Sequence, residues 1–277
     1  MIGRLAVWLA LLAAMAACDS DHASVGTLPS KVPASTQPPS PTPSPSPSKS
    51  PPPQGFVDLS DVDPTILLDI RYYTDHNFVG RRIEGYDAPR CLLTAQAAQA
   101  VQAAQRAANA KGLSLKMYDC YRPLRAGEDF KRWGASPSEN EMRAEFYPSL
   151  SKNDVFKGGY IANNRSPHSR GSTVDLTLVA LPPTPQRPFV KGEPLVSCTA
   201  PVGRRFPDNT VDMGTGYDCF DSRSHTTDPR VTGAAKQNRL TLRQLMTDAG
   251  FRNNPSEWWH YNLIADPFPG TYFDFPV

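Results

Sequence analysis

The chain has 277 residues, a net charge of +2 and 20% charged side chains. No long basic stripe exists to follow a phosphate backbone, so a nucleic-acid partner is excluded from the expectations. With 39% hydrophobic residues there is material for a sizeable core, in one large domain or two small ones.

Residues 1–17 carry one arginine, Arg4, then an apolar run from Leu5 to Ala17. That run is too short for an ordinary membrane-spanning helix and has the pattern of a signal peptide. It ends in Met15-Ala16-Ala17-Cys18, which resembles a bacterial lipobox. The expectation is a lipidated Cys18 at the mature N-terminus of an exported, membrane-anchored lipoprotein, on a periplasmic or other extracytoplasmic face. Simple secretion, with Cys18 incidental, is the alternative. Residues 18–54 read as a disordered tether. Eleven of the 25 residues from Pro29 to Pro53 are proline, so backbone donors are scarce and nothing apolar is available to bury. At about 3.1 Å per residue in polyproline II, that stretch reaches roughly 75 Å.

Residues 55–277 read as one folded domain. Phe56–Asp58 and Leu67–Tyr73 are predicted as strands or extended pieces. Thr94 caps a helix reaching Lys111, and Gly112 ends it. Leu113–Tyr118 alternates as a strand should. Pro123 opens a helix through about Trp133, and Ser138–Phe146 is a second helical stretch. Ser172–Leu178 is a strand rich in β-formers. Residues 180–230 are dense in proline, glycine and asparagine and read as a long loop with short strands. Ala234–Ala249 is a helix ended by Gly250, and Trp258–Ile264 is the last strand. Without regular βαβ alternation this is an α+β fold, a single domain with a central antiparallel sheet flanked by helices.

Setting Cys18 aside leaves Cys91, Cys120, Cys198 and Cys219, an even number that suits disulfides in an exported protein. Three pairings are possible. Cys91–Cys120 and Cys198–Cys219 are favoured: the helix after Thr94 runs out about 27 Å, and the following strand returns about 20 Å.

Two segments carry the chemistry. Ser166–Asp175 contains His168 and Asp175 on either side of Gly171, a spacing that suits a loop ligand followed by a strand ligand. Glu257-Trp258-Trp259-His260 adds a second imidazole and a second carboxylate. Either histidine alone is more often a structural residue than a ligand. Asp175 lies inside a mainly apolar strand, where a carboxylate is costly unless paired or bound to a cation. Together His168, Asp175 and His260 form a three-ligand set for one Zn2+ with a fourth position open to water, as in catalytic sites. Glu257, beside two tryptophans, is placed as general base, with its pKa raised by that apolar bulk. Arg122, between a strand and a helix, either projects into a cleft to stabilise an oxyanion or makes a surface ion pair with Asp119 or Glu128.

These motifs, with Tyr121-Arg122-Pro123, Met213-Gly-x-x-Tyr217-Asp218, Ser224-His225, Arg71-Tyr72-x-Thr74-x-x-Asn77-Phe78 and the terminal Tyr272–Val277, run the length of the folded part. They resemble the VanX-type D-alanyl-D-alanine dipeptidases, zinc DD-peptidases that share a fold with the hedgehog signalling domain. The resemblance implies a zinc metallopeptidase that hydrolyses free D,D-dipeptides; no protein partner is predicted. It implies His168, Asp175 and His260 as zinc ligands, Glu257 as catalytic base and acid, and Arg122 as transition-state stabiliser. It further implies that Tyr72 and Asp218 hold the substrate ammonium and that Ser166 contacts the substrate. A DD-carboxypeptidase trimming peptidoglycan stems, or a non-catalytic wall-binding module, are the rival readings. The signal segment, the tether and these cysteines depart from the family pattern. Residues 182–208 look like an insertion, and a Cys198–Cys219 bond would pin it against the ammonium pocket, putting the cleft size in question.

Overall fold

The structure is a computed structural model and describes residues 51–162 and 165–277. The signal segment, Cys18 and nearly all of the tether lie outside the described residues. The chain forms strands β1 (Phe56–Asp58), β2 (Leu67–Leu68), β3 (Leu92–Thr94), β4 (Leu113–Asp119), β5 (Thr173–Ala180), β6 (Phe251–Asn253) and β7 (His260–Leu263). The helices are α1 (Leu59–Val62), α2 (Ala95–Asn109), α3 (Leu124–Ala135), α4 (Arg143–Phe146), α5 (Lys152–Lys157) and α6 (Gly233–Asp248).

The main sheet has five strands in the order β2-β4-β5-β7-β6. From β4 to β6 every pair is antiparallel, as expected, but β2 adds to the edge in parallel with β4. A separate two-stranded ribbon joins β1 to β3. Helices α2 and α6 pack against each other, α2 on β4 and α6 on β5 and β6. The mixed α+β class stands, with one parallel edge pair as the correction.

Helix α2 follows its sequence closely. Thr94 Oγ1 accepts from the Ala97 amide, and Ala97, Ala98, Val101, Ala104 and Ala108 form the buried face. These small residues let the helix approach β4, and Gln105 is tolerated among them because its Oε1 accepts from the Leu115 amide. Gly112 stops the helix region in a left-handed conformation (φ +70°).

Elsewhere the expectations needed correcting. Leu67–Tyr73 is a strand only at its first two residues, and Arg71–Tyr73 forms a 3₁₀ turn. The predicted helix over Ser138–Phe146 shrinks to one turn, α4. Its first half is held as a loop, because Trp133 Nε1 donates to the Glu139 carbonyl and Asn140 Nδ2 to the Pro137 carbonyl. Residues 181–230 contain no strand among the described residues, only a 3₁₀ turn at Ser222–Ser224. The last strand begins at His260, since the Trp258 amide is drawn to the Ser224 carbonyl. Both favoured disulfides are present, Cys91–Cys120 and Cys198–Cys219, with Cα separations of 5.2 and 5.5 Å.

Register places the site. Asp119 on β4 pairs with Asp175 on β5, and Asp175 pairs with His260 on β7. Three polar side chains therefore lie in one row across the sheet. His168 reaches that row from a 3₁₀ turn, Pro167–Arg170, that leads into β5. Gly171 ends the turn at φ +77°, and a Cβ there would stand 2.2 Å from the Phe56 ring, so both conformation and space require glycine.

Candidate active site

His168 Nε2, His260 Nδ1 and Asp175 Oδ1 form a nearly equilateral triangle. Its sides are 3.3 Å between the imidazoles, 3.4 Å from His168 to Asp175 and 3.1 Å from His260 to Asp175. A tetrahedral cation bonded at about 2.0 Å keeps its ligands about 3.3 Å apart, so the donor set fits such an ion without rearrangement. Two details support the fit. His168 Nδ1 lies 2.8 Å from the Cys120 carbonyl, which fixes the proton there and leaves Nε2 with its lone pair toward the triangle. Asp175 Oδ1 is buried and accepts no hydrogen bond, a costly arrangement for a carboxylate oxygen unless a cation offsets it.

Electrostatics agree with that arrangement. Burial works against a charge on Asp175, but His168 and then His260 outweigh it and hold the carboxyl well below its usual range. Burial also opposes protonation of His260, yet the Asp175 carboxylate beside it raises its pKa.

Glu257 lies beside the triangle, with Oε2 at 3.4 Å from His260 Nδ1 and accepting from Asn254 Nδ2 at 2.9 Å. Burial pushes its carboxyl up to about 7, against the pull of His260. Arg122 is half-buried and lines the cleft, as the first reading of it expects, and its pair with Asp119 is internal rather than on the surface. Its Nε and Nη2 grip Asp119 Oδ2 at 2.9 and 2.8 Å, while Nη2 stands 3.7 Å from Asp175. The ion pair with Asp119 is thus an internal clamp that aims the guanidinium at the cleft.

Tyr72 donates to Asp218 at 2.8 Å. Asp218 adopts a left-handed backbone at φ +52°, unusual for a residue other than glycine. Burial and then the Asp175 charge push its carboxyl well above the ordinary range, so this group gains most from a cation placed beside it. Ser166 caps the 3₁₀ turn by accepting from the His168 amide at 3.3 Å.

All eight predicted site residues line one cleft of about 140 Å3, walled further by Phe78, Phe130, Tyr160, Phe220 and Trp259. None of residues 182–208 lines it. The insertion packs instead on His76, where Phe189 stacks and Phe206 lies tilted, so it does not narrow the cleft directly. Sequence reasoning underrated Asp119. It is fully buried, accepts from Tyr86 at 2.6 Å and stands 3.3 Å from His168 Nδ1. Like Asp175, Asp119 is a carboxylate at a buried position of a mainly apolar strand. Tyr217 was quoted in a motif but given no role, and Asn254 was missed, because nothing local marks a hydroxyl or amide that reaches across the fold.

Two imidazoles, a carboxylate and an adjacent base in one cleft are the groups a metal-dependent hydrolase needs, and the family match makes the chain a metallopeptidase. The family model described as D-ala-D-ala dipeptidase, Peptidase M15, matches residues 53–182 and 204–277 and skips 183–203, most of the stretch read as an insertion. The chain is 37% identical over 223 residues to a D-alanyl-D-alanine dipeptidase of Enterococcus faecalis, covering 80% of this chain and 98% of that one. Proteins described in the same words from Streptomyces coelicolor and Escherichia coli are 36% and 33% identical, over 80% and 78% of this chain and 98% and 94% of their own. The chain belongs to the Peptidase M15 family of D-Ala-D-Ala dipeptidases.

Proposed function

We propose that this protein is a zinc-dependent dipeptidase that hydrolyses free D-alanyl-D-alanine outside the cytoplasm, held to a membrane by lipid on Cys18. The observation that carries the substrate reading is Asp218, a buried carboxyl bonded to Tyr72 within the same small cleft as the metal triangle. A carboxylate there pairs with a protonated amine and leaves an acylated amine unmatched, which selects a free dipeptide over a longer stem peptide.

His168, Asp175 and His260 would hold the ion; nitrogen and oxygen donors in a compact tetrahedral set suit zinc. When bound, zinc lowers the pKa of a water and polarises the scissile carbonyl. Glu257 takes the proton from the attacking water and delivers it to the leaving amine. Arg122, fixed by Asp119, stabilises the oxyanion of the tetrahedral intermediate. Tyr72 and Asp218 hold the ammonium group, and Ser166 contacts the substrate from the turn that carries His168.

An enzyme outside the cytoplasm does not reach the cytoplasmic pool of wall precursor, so the role proposed is scavenging in cell-wall turnover. The test compares free D-alanyl-D-alanine with its N-acetylated form. The free dipeptide is expected to be strongly preferred, and Asp218→Asn to lose much of that preference through a higher KM. Equal or better cleavage of the acetylated form would contradict the assignment and favour a carboxypeptidase.

A further inference from the structure

Tyr217 takes no part in the chemistry above, yet its buried hydroxyl donates to Asp175 Oδ2 at 3.0 Å. The two oxygens of Asp175 thus have different surroundings. Oδ1 faces both imidazoles and accepts no hydrogen bond. Oδ2 takes the Tyr217 hydroxyl and lies 3.7 Å from Arg122 Nη2. A carboxylate free to turn offers a cation either oxygen or both, whereas one with an oxygen tied is restricted to the other.

We propose that Tyr217 is a positioning residue whose hydroxyl ties Asp175 Oδ2, so that the carboxylate presents Oδ1 alone to the metal, and that this bond sets metal affinity. The inference rests on the reading of His168, Asp175 and His260 as the zinc site. The donor is itself held rigidly. The Tyr217 ring stacks on Tyr118 at 4.4 Å and meets Trp259 edge-on at 5.4 Å. Its backbone is tethered on both sides: the Gly216 amide donates to the Cys198 carbonyl at 2.9 Å, and Cys219 is bonded to Cys198. The Tyr217 oxygen also lies 3.5 Å from the Tyr72 hydroxyl, whose own proton goes to Asp218. Tyr72 can then only accept from Tyr217, and of the two acceptors the charged Asp175 carboxylate, at 3.0 Å against 3.5 Å, takes the single Tyr217 proton.

Hydrogen-bond partners of ligating groups are worth about 10- to 100-fold in metal affinity. Tyr217→Phe keeps the ring and its packing and removes only the oxygen. Zinc affinity is measured by competition with a chromophoric chelator, with folding monitored by far-UV circular dichroism. Tyr118→Phe serves as the control, because its hydroxyl donates to Asp208 rather than to Asp175. The expected result is zinc binding at least about tenfold weaker in Tyr217→Phe and unchanged in Tyr118→Phe. Affinity within about twofold of wild type in a folded Tyr217→Phe would overturn the inference, as would an equal loss in both variants. A wild-type protein that binds no zinc would instead overturn the parent reading and this one together.

Discussion

At the scale of single residues, Glu257 carries the clearest consequence. Only its carboxylate form accepts a proton, so activity is lost as pH falls through its pKa. Burial places that value at about 7, and a bound cation beside it draws it downward. The expected profile of kcat/KM has an acid limb with its midpoint at or below that value. Activity that rises on acidification would contradict the role. Glu257→Gln should lower kcat by about 100- to 10,000-fold, the usual worth of general acid–base catalysis, with the limb gone and the metal retained. Asp175 and Glu257 were legible as a carboxylate in an apolar strand and an acid against two tryptophans, the two histidines only through their company, and Tyr72, Asp218 and Ser166 only through the family resemblance. Asp119 has the same setting as Asp175, but its neighbour Arg122 supplied an ordinary explanation as a surface pair. The structure makes that pair a buried one, with Asp119 fully enclosed.

At the scale of elements, the long periodic pieces were readable, and of the short strands only β1 and β7 were. Helix α2 announced itself through its Thr94 cap, its alanine face and Gly112; β4 and β5 did so through alternation and β-branched content. Strands β3 and β6 have three residues each, too few to show a period, and exist because neighbouring backbone is waiting to pair with them. The loop from residue 181 to the Ser222–Ser224 turn owes its order to its disulfide and side-chain bonds. Cys198 is attached to Gly216 and Cys219, bracketing Tyr217 and Asp218. Replacing both Cys198 and Cys219 by serine should therefore act twice. Closing a loop of 21 residues is worth about 3 kcal/mol, readable as a loss of unfolding free energy in urea. The freed Asp218 should raise KM for the free dipeptide more than it lowers kcat. A variant of unchanged KM would show that the bracket serves stability alone.

At the scale of the whole molecule, the α+β class and the antiparallel core of the sheet were legible, whereas the parallel edge pair β2–β4 was not, because two residues at an edge leave no pattern. With Cys18 lipidated, the protein partitions with membranes, and Cys18→Ala releases it to the soluble extracytoplasmic fraction, as fractionation of expressing cells would register. Wild-type protein recovered from the cytosol would contradict the export proposal. The central claim is that register and one 3₁₀ turn bring three donors, spaced 3.1 to 3.4 Å apart, around a single ion. Its most direct test is the zinc content of purified protein, wild type beside His260→Ala, measured by atomic emission after dialysis. The account predicts one zinc per chain in the wild type and a large loss in the variant. Wild-type protein without zinc, or a variant that retains it in full, would contradict the claim.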